Sequence, residues 1–581
     1  MKKRSVKTGA ALAASVFLVF ICGIAMYQTM GFVYAIADDV IMRDIASGAF
    51  TGTPDGHLIF VKYALGLAIS CMYTWNSSVD WYGFFMTGVI FLSLAAVMYR
   101  GLSRETSLKW KAMYAGITLG VFGCGMFFHI AQFEWTVSAA AAGAGALYLY
   151  VTMRTDENGG KLLDAILIWL LLTLTYGIRD DVFLMVLPGF GIAFLWKFFR
   201  KAEGKFLFDW KQLLLPAAVF GTIAVMMLAE QQEYQGKEWE EFRTFQSARS
   251  DIYDYYGVPV YESNPAFFDK MGLNEAEIRN LRHYALYLVE DMDAELVRSL
   301  AEEGKRQSGQ QGVKAKIRNG VLLAAEQAVD KEYFTVSIPF LIFLAAVLYL
   351  IFRYYRKAVW PLLLFLGAEG CLWLYLGIMG RLPERVAFSM HLVTLAGTAG
   401  AFLHLWGKWE ESGRKGEGCK RKQVFVTALL LCSLAAAAWQ WNVSSQANKE
   451  KLAMDGSYQQ FKLSCKEQPE NLYFIETFMA EPVGGARVST QYSAQINNCL
   501  TLGDWYSTSP LDEQRMKKLG IQNVEDTILH NPNAYLVVRD VENPGFLKDY
   551  FEEKYPQCSL VMRRSETVGG RTYFLYQISG D

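Results

Sequence analysis

The sequence predicts a mainly α-helical, polytopic membrane protein. Its transmembrane bundle has about eleven spans, interfacial helices in the first outer loop, and a small α/β domain at the C-terminus. Three observations predict this. Hydrophobic residues make up 52% of the 581 positions and charged residues only 19%, where an ordinary soluble domain carries roughly 25% charged. The apolar residues are blocked into runs such as Gly9–Gly31, Trp81–Tyr99, Leu162–Tyr176 and Val336–Phe352, matching the roughly 17–25 residues that cross a bilayer. Lys and Arg, finally, are distributed unequally between alternate loops.

The first run follows Met1-Lys2-Lys3-Arg4-Ser5-Val6-Lys7. It is about twice the ~7–15 residues of a signal-peptide core, so it reads as an uncleaved first helix. Further spans are expected near 81–99, 112–130, 134–151, 162–177, 181–199, 212–229, 335–352, 358–378, 386–406 and 424–441. The stretch Leu58–Trp75 is the ambiguous one, and its placement sets the sidedness of everything after it. If it lies along the outer interface, the inside segments 1–8, 100–111, 152–161, 197–211, 353–357 and 407–422 hold 24 Lys and Arg. The short outer segments 34–57, 131–133, 178–180 and 379–385 then hold 4. Cytoplasmic loops are the basic ones, so the N-terminus is expected inside and the C-terminus outside.

On this reading a membrane domain occupies 1–442, with outer loop 1 at 34–80 and a large outer loop at 230–334. An extracytoplasmic α/β domain occupies 443–581. In loop 1 a short helix is expected from about Asp39 to Ala46, followed by a turn rich in Gly and Pro. Within 230–334, Asn274 and Glu277 form a helix-start signature, and Tyr253–Tyr261 is an aromatic turn region. In the tail, Leu472–Ile475, Ala534–Val538 and Tyr573–Ile578 look like strands, with helices at 511–519 and 544–554. The near-zero net charge of −1 argues against a nucleic-acid partner. Nine cysteines show no metal spacing; Cys465, Cys499 and Cys558 in the tail allow at most one disulfide there and require none. Phosphate-loop, dinucleotide and zinc-protease signatures are absent.

Polar groups gather at the outer ends of the helices: Asp38 and Asp39 in loop 1, His57 and Lys62 beyond the turn, and Glu134 at the second outer turn. Arg179, Asp180 and Asp181 follow in the third hairpin, and Arg381 and Arg385 in a later one. Each has an ordinary explanation. An aspartate can cap a helix, Arg179 can pair with its own neighbours, and His57 can be a satisfied polar group. Adjacent helical residues point about 100° apart, so Asp38 and Asp39 cannot face a common site equally; one is expected to cap the helix while the other points inward. Ionisable groups at membrane level are nonetheless functional candidates by default, because charge is costly there. A partly buried carboxylate has a raised pKa and suits a general base. Guanidinium groups suit phosphate.

The first 110 residues resemble the GT-C superfamily of integral-membrane glycosyltransferases. The resemblance lies in one span, the Asp38-Asp39 pair, the turn into Gly56-His57-Leu58-Ile59-Phe60-Val61-Lys62-Tyr63, an interfacial helix, and Asp80-Trp81-Tyr82-Gly83 opening the next span. It implies sugar transfer from a polyprenyl-phosphate-linked donor to an envelope glycan, lipid or protein, on the outer face of the plasma membrane. Asp38 or Asp39 would be the base, Glu134 an assisting acid, and Arg381 or Arg385 the holder of the leaving phosphate. Arg179 enters on physical grounds alone. Some members of the superfamily need a divalent ion, and no diagnostic metal-ligand set stands in this sequence. Loop 230–334 has no counterpart that the resemblance identifies. A transporter or flippase of a lipid-linked glycan precursor is the competing reading, and a catalytically silent scaffold a third.

Overall fold

The computed structural model describes residues 2–104, 106–153, 158–202, 205–208, 210–309, 313–411, 419–480, 486–541 and 544–580. The basic segments 152–161 and 407–422 therefore lie partly outside the described residues. The chain is a multi-pass helical membrane protein carrying a small sheet domain near its C-terminus.

Helix α1 (Lys2–Thr29) leads through strand β1 (Val33–Tyr34) to the loop-1 helices α2 (Ala37–Ser47) and α3 (Tyr63–Trp75). Gly48 ends α2 in the left-handed region at φ 89°, its N–H capping Ile45, a conformation that favours glycine. At 13 residues α3 is well short of the roughly 20 needed to span. Then come α4 (Trp81–Leu102), α5 (Leu108–Ala131), strand β2 (Gln132–Phe133), α6 (Trp135–Thr152), α7 (Asn158–Ile178) and α8 (Asp180–Phe198). A hairpin of β3 (Phe199–Ala202) and β4 (Lys205–Phe208) precedes α9 (Leu214–Glu233).

Residues 237–329 form α10 (Lys237–Ser250), α11 (Pro265–Lys270), α12 (Glu275–Arg282), α13 (Ala294–Ser308) and α14 (Val313–Val329). The expected Asn274–Glu277 capping box is present at the start of α12. The aromatic segment Asp251–Tyr256 continues α10 as one wide π-helical turn. The bundle resumes with α15 (Phe334–Tyr354), α16 (Val359–Ile378) and α17 (Glu384–Glu411). A single 48-residue helix, α18 (Cys419–Lys466), then carries the chain out of the bundle without a break near residue 443. The α14–α16 pairing is close: the Gly377 face abuts Gly320, where an added Cβ would sit 2.5 Å from Ile378 Cα.

Among the described residues, ten helices are long and apolar enough to cross a membrane. They correspond to ten of the eleven segments expected from the sequence. The remaining one is α6, whose 18 residues are almost all buried by neighbouring helices. Its Ala- and Gly-rich sequence suits close helix packing rather than lipid exposure.

The C-terminal domain holds β5 (Leu472–Ile475), α19 (Thr477–Ala480), β6 (Cys499–Thr501), α20 (Pro510–Lys518) and α21 (Val524–His530). It is completed by β7 (Ala534–Arg539), α22 (Phe546–Lys554), β8 (Ser559–Val568) and β9 (Arg571–Ser579). The sheet order is β6-β5-β7-β9-β8, with β5 parallel to both its neighbours and β9 antiparallel to both of its own. Its Leu472, Phe474, Leu536 and Val538 side chains are buried with Leu547 and Phe551 of α22.

Candidate functional site

Three segments distant in sequence converge beside α2. Strands β1 and β2 pair in parallel over two residues, Val33 with Gln132 and Tyr34 with Phe133. That short ladder sets the Asp38–Asp39 turn of loop 1 beside Glu134. The chain from Ala486 to Ser489 binds the same place: Tyr34 N–H donates to Ala486 O, Val488 N–H to Phe32 O, and Asp80 N–H to Ser489 O. The hairpin before α8 is tied in by Lys62 N–H to Gly177 O at 2.8 Å.

The two aspartates have different surroundings. Asp39 is fully buried. Its carboxylate accepts from Tyr82 Oη at 2.7 Å and from Trp135 N–H at 3.3 Å. Burial pushes its carboxyl well above the usual range, and the Tyr82 hydrogen bond opposes this. Asp39 thus joins α2 to α4 and to the start of α6. Asp38 instead lines a cavity of about 870 Å³. Burial raises its carboxyl as well, with the guanidinium groups of Arg385, Arg249 and Arg179 lowering it in that order.

The same cavity is lined by Lys62, Arg179, Asp180, Asp181, Arg381 and Arg385. Lys62 Nζ is 2.8 Å from Asp180 Oδ2. Arg179 lies 4.4 Å over the Trp135 ring and donates to Thr136 Oγ1. Arg385 Nε is 3.2 Å from Glu134 Oε1, and Glu134 also accepts from Thr136 Oγ1 at 3.0 Å. Arg381 donates to Tyr255 Oη and reaches Asp254 at 3.4 Å. Of the ten residues singled out in the sequence, seven line this chamber. Asp39 and Glu134 stand behind it as partners of lining residues. His57 is outside the lining: its Nδ1 is 2.6 Å from Asp55 Oδ1, and its ring packs among Tyr63, Tyr234 and Trp239.

The chamber's far wall comes from parts in which the sequence singled out no site residue. Arg249, Tyr253 and Asp254 come from α10 and the π-helical turn, and Thr477, Phe478 and Trp505 from the C-terminal domain. The aromatic segment was visible as a pattern; Arg249 donates both to Gln246 Oε1 at 2.9 Å in its own helix and to the Tyr284 hydroxyl across the insertion, and only the first partner is local in sequence. Ile59, also lining, has φ 68°, a conformation costing a β-branched residue on the order of 1–3 kcal/mol. Its N–H is held on the Tyr234 hydroxyl at 3.2 Å.

A second buried cluster braces α2 from the other side. Arg43 and Asp44, each 5% exposed, pair at 2.8 Å. Asp44 also accepts from Tyr492 Oη and Asn497 Nδ2, both at 2.9 Å. Asp80, fully buried, accepts from Tyr34 Oη, Tyr73 Oη and Gly83 N–H. Among the described residues no group of three or more His, Cys, Asp or Glu could hold a metal ion. Around Asp38 the acids are committed, Asp39 to Tyr82, Glu134 to Arg385, Asp254 to Arg381 and Ser250, and Asp180 to Lys62, so these residues do not form a divalent-ion cage.

Fold and chamber together define a multi-pass helical membrane protein with a charged, half-enclosed chamber at one end of its bundle. No family model matches the chain, and no curated protein matches it. Two solved structures are similar to it, both crystal structures of ArnT from Cupriavidus metallidurans. The one bound to undecaprenyl phosphate has 10% identity and a TM-score of 0.35, covering 97% of each chain. The apo form has 11% identity and a TM-score of 0.37, covering 97% of this chain and 98% of that one. At such identity and score the likeness adds nothing to the chemistry, which rests on this chain's own residues.

Proposed function

We propose that the protein is a membrane glycosyltransferase that moves a sugar from a polyprenyl-phosphate-linked donor to an envelope glycan, lipid or protein at the outer face. Asp38 is the general base. It removes the proton from an acceptor hydroxyl as that oxygen attacks the anomeric carbon in line. The bond from that carbon to the phosphate oxygen breaks with its electron pair, so polyprenyl phosphate leaves and the anomeric centre inverts. Arg385, with Arg179, receives the phosphate through permanent charge and bidentate geometry. Asp39 holds α2 in place and is not the base.

The observation that carries this reading is Asp38: the one member of the acidic pair that lines the chamber, within the field of three arginines. A carboxylate with a raised pKa beside fixed cations is what a base next to a departing phosphate requires. The test uses purified full-length protein, a radiolabelled polyprenyl-phosphate sugar and an isolated envelope fraction as acceptor. Asp38→Asn is expected to lower transfer by about 10²-fold or more with an unchanged melting temperature. Asp39→Asn is expected to lower the melting temperature and retain measurable transfer at low temperature. Movement of labelled lipid across a vesicle membrane with no transfer in the wild type would replace this reading with that of a flippase.

A further inference from the structure

At the opposite end of the same helices lies a second cavity, of about 850 Å³. The chamber described above sits at the starts of α6, α8 and α17 and the end of α16. This one sits at the ends of α6, α8, α15 and α17 and the start of α16. Its size is within the roughly 300–1,000 Å³ of sites that enclose an organic ligand.

The lining has three layers. Val347, Ile351, Leu362 and Leu405 make a buried apolar floor. Trp196, Tyr354 and Tyr355 stand above it, residue types that collect at the headgroup level of a bilayer. At the mouth are Lys197, Arg353, Arg356, Lys357 and Lys408, and among the described residues no carboxylate lines the cavity. Lys197 is engaged within the protein, over the Tyr150 ring at 4.4 Å. Arg356, Lys357 and Lys408 are exposed at the rim.

We infer that this cavity binds the headgroup of an anionic glycerophospholipid, its phosphate among Arg356, Lys357 and Lys408 and its acyl chains against the apolar floor. A loop that merely obeyed the basic-inside rule would need no cavity, and a free inorganic anion would need no apolar floor. Surrounding lipid tails pack there without loss: Phe352, Trp360 and Leu364 beside the mouth face outward, 62–68% exposed. Basic recesses between helices at one membrane face are suited to acidic headgroups.

The experiment is native mass spectrometry of the delipidated full-length protein, titrated separately with phosphatidylglycerol and phosphatidylcholine of equal chain length. Wild type is expected to retain one phosphatidylglycerol in strong preference. The triple variant Arg356→Gln/Lys357→Gln/Lys408→Gln should lose on the order of 100-fold in that affinity, from about fivefold per cation. The control Lys109→Gln/Lys111→Gln, basic residues of the same face outside the cavity, should bind as wild type does. Ala401→Trp, which keeps every charge and fills the cavity, should also lose the bound lipid, and it stands in should the triple variant not fold. Equal retention of both lipids, equal loss in the control, or displacement of the lipid by an equal concentration of inorganic phosphate would each overturn the assignment.

Discussion

Replacing Asp44 by Asn tests whether the chamber depends on the buried cluster behind α2. Two oxygens of Asp44 serve four donors. Oδ1 takes Arg43 Nε at 3.0 Å, Arg43 Nη2 at 2.8 Å and Tyr492 Oη at 2.9 Å; Oδ2 takes Asn497 Nδ2 at 2.9 Å. Lys462 Nζ stands 3.8 Å away. An asparagine turns one of those oxygens into a donor and removes the charge. Arg43 is then left with Asp80, whose nearest oxygen is 3.8 Å away, and Lys462 loses the acid it faces. Breaking a buried, hydrogen-bonded ion pair from one side costs about 3–5 kcal/mol. The cost falls on the joint between loop 1 and the C-terminal domain, because Tyr492 and Asn497 belong to the latter.

The assay is thermal unfolding in detergent, with hydrogen exchange read separately over residues 37–47 and 486–497. Asp44→Asn is expected to lower the melting temperature and to raise exchange in both segments. The pH dependence has a definite sign. Burial raises the Asp44 carboxyl, but Arg43, Lys462 and Lys466 outweigh it and hold the group well below the usual carboxylate range. Its contribution is therefore complete above about pH 4 and is lost on acidification below that point. The wild type should show this acid slope and Asp44→Asn should lack it. A loss under about 1 kcal/mol with unchanged exchange in residues 37–47 would refute the reasoning.

Two further outcomes follow from the chamber and the bundle. Burial raises the Asp38 carboxyl and Arg385 is the leading influence lowering it, so transfer should fall as pH drops through a value above the ordinary ~4. Arg385→Gln should move that acid limb upward, measured as kcat/KM against pH, and an unmoved limb would separate the two residues. Gly320→Ala places a methyl 2.5–2.6 Å from the Ile378 backbone, where overpacking costs typically 1–3 kcal/mol. A lowered melting temperature checks it, and Gly367→Ala, whose added methyl meets nothing within 4 Å, is the matched control.

What was legible in the sequence is what depends on run length and local chemistry. Apolar blocks mark the helices because a bilayer demands about 20 residues. The loop-1 helix and the Asn274 cap are signalled by neighbours within a turn. The strand Leu472–Ile475 is legible because it is short, wholly apolar or aromatic, and bounded by polar residues. The division between Asp38 and Asp39 could not be read. It is decided by a tyrosine hydroxyl 43 residues later and a backbone N–H 96 residues later. Strands β1 and β2, two residues each, leave no periodicity to detect, yet they bring Glu134 to loop 1. Asp80 offered only a helix-start signal, and its two tyrosine donors are supplied by the fold. The β8–β9 hairpin did have a signal that went unread: Gly569-Gly570, both at positive φ, is the dipeptide that a tight hairpin favours.

The two aspartates of the pair differ in what holds them. A carboxyl group that accepts two fixed hydrogen bonds away from water is held in place. Its neighbour, turned about 100° around the helix, inherits that fixed position without those partners. Asp39 makes α2 rigid against α4 and α6, and Asp38 is thereby presented to the chamber with its proton affinity set by burial and by arginines from three other elements. Substituting Tyr82 by Phe, which removes the hydroxyl that donates to Asp39 at 2.7 Å and lies 3.9 Å from Met42 Sδ, should therefore lower transfer although it removes no chamber-lining side chain. A Tyr82→Phe protein with full transfer would mean that Asp38 is positioned by something other than its neighbour.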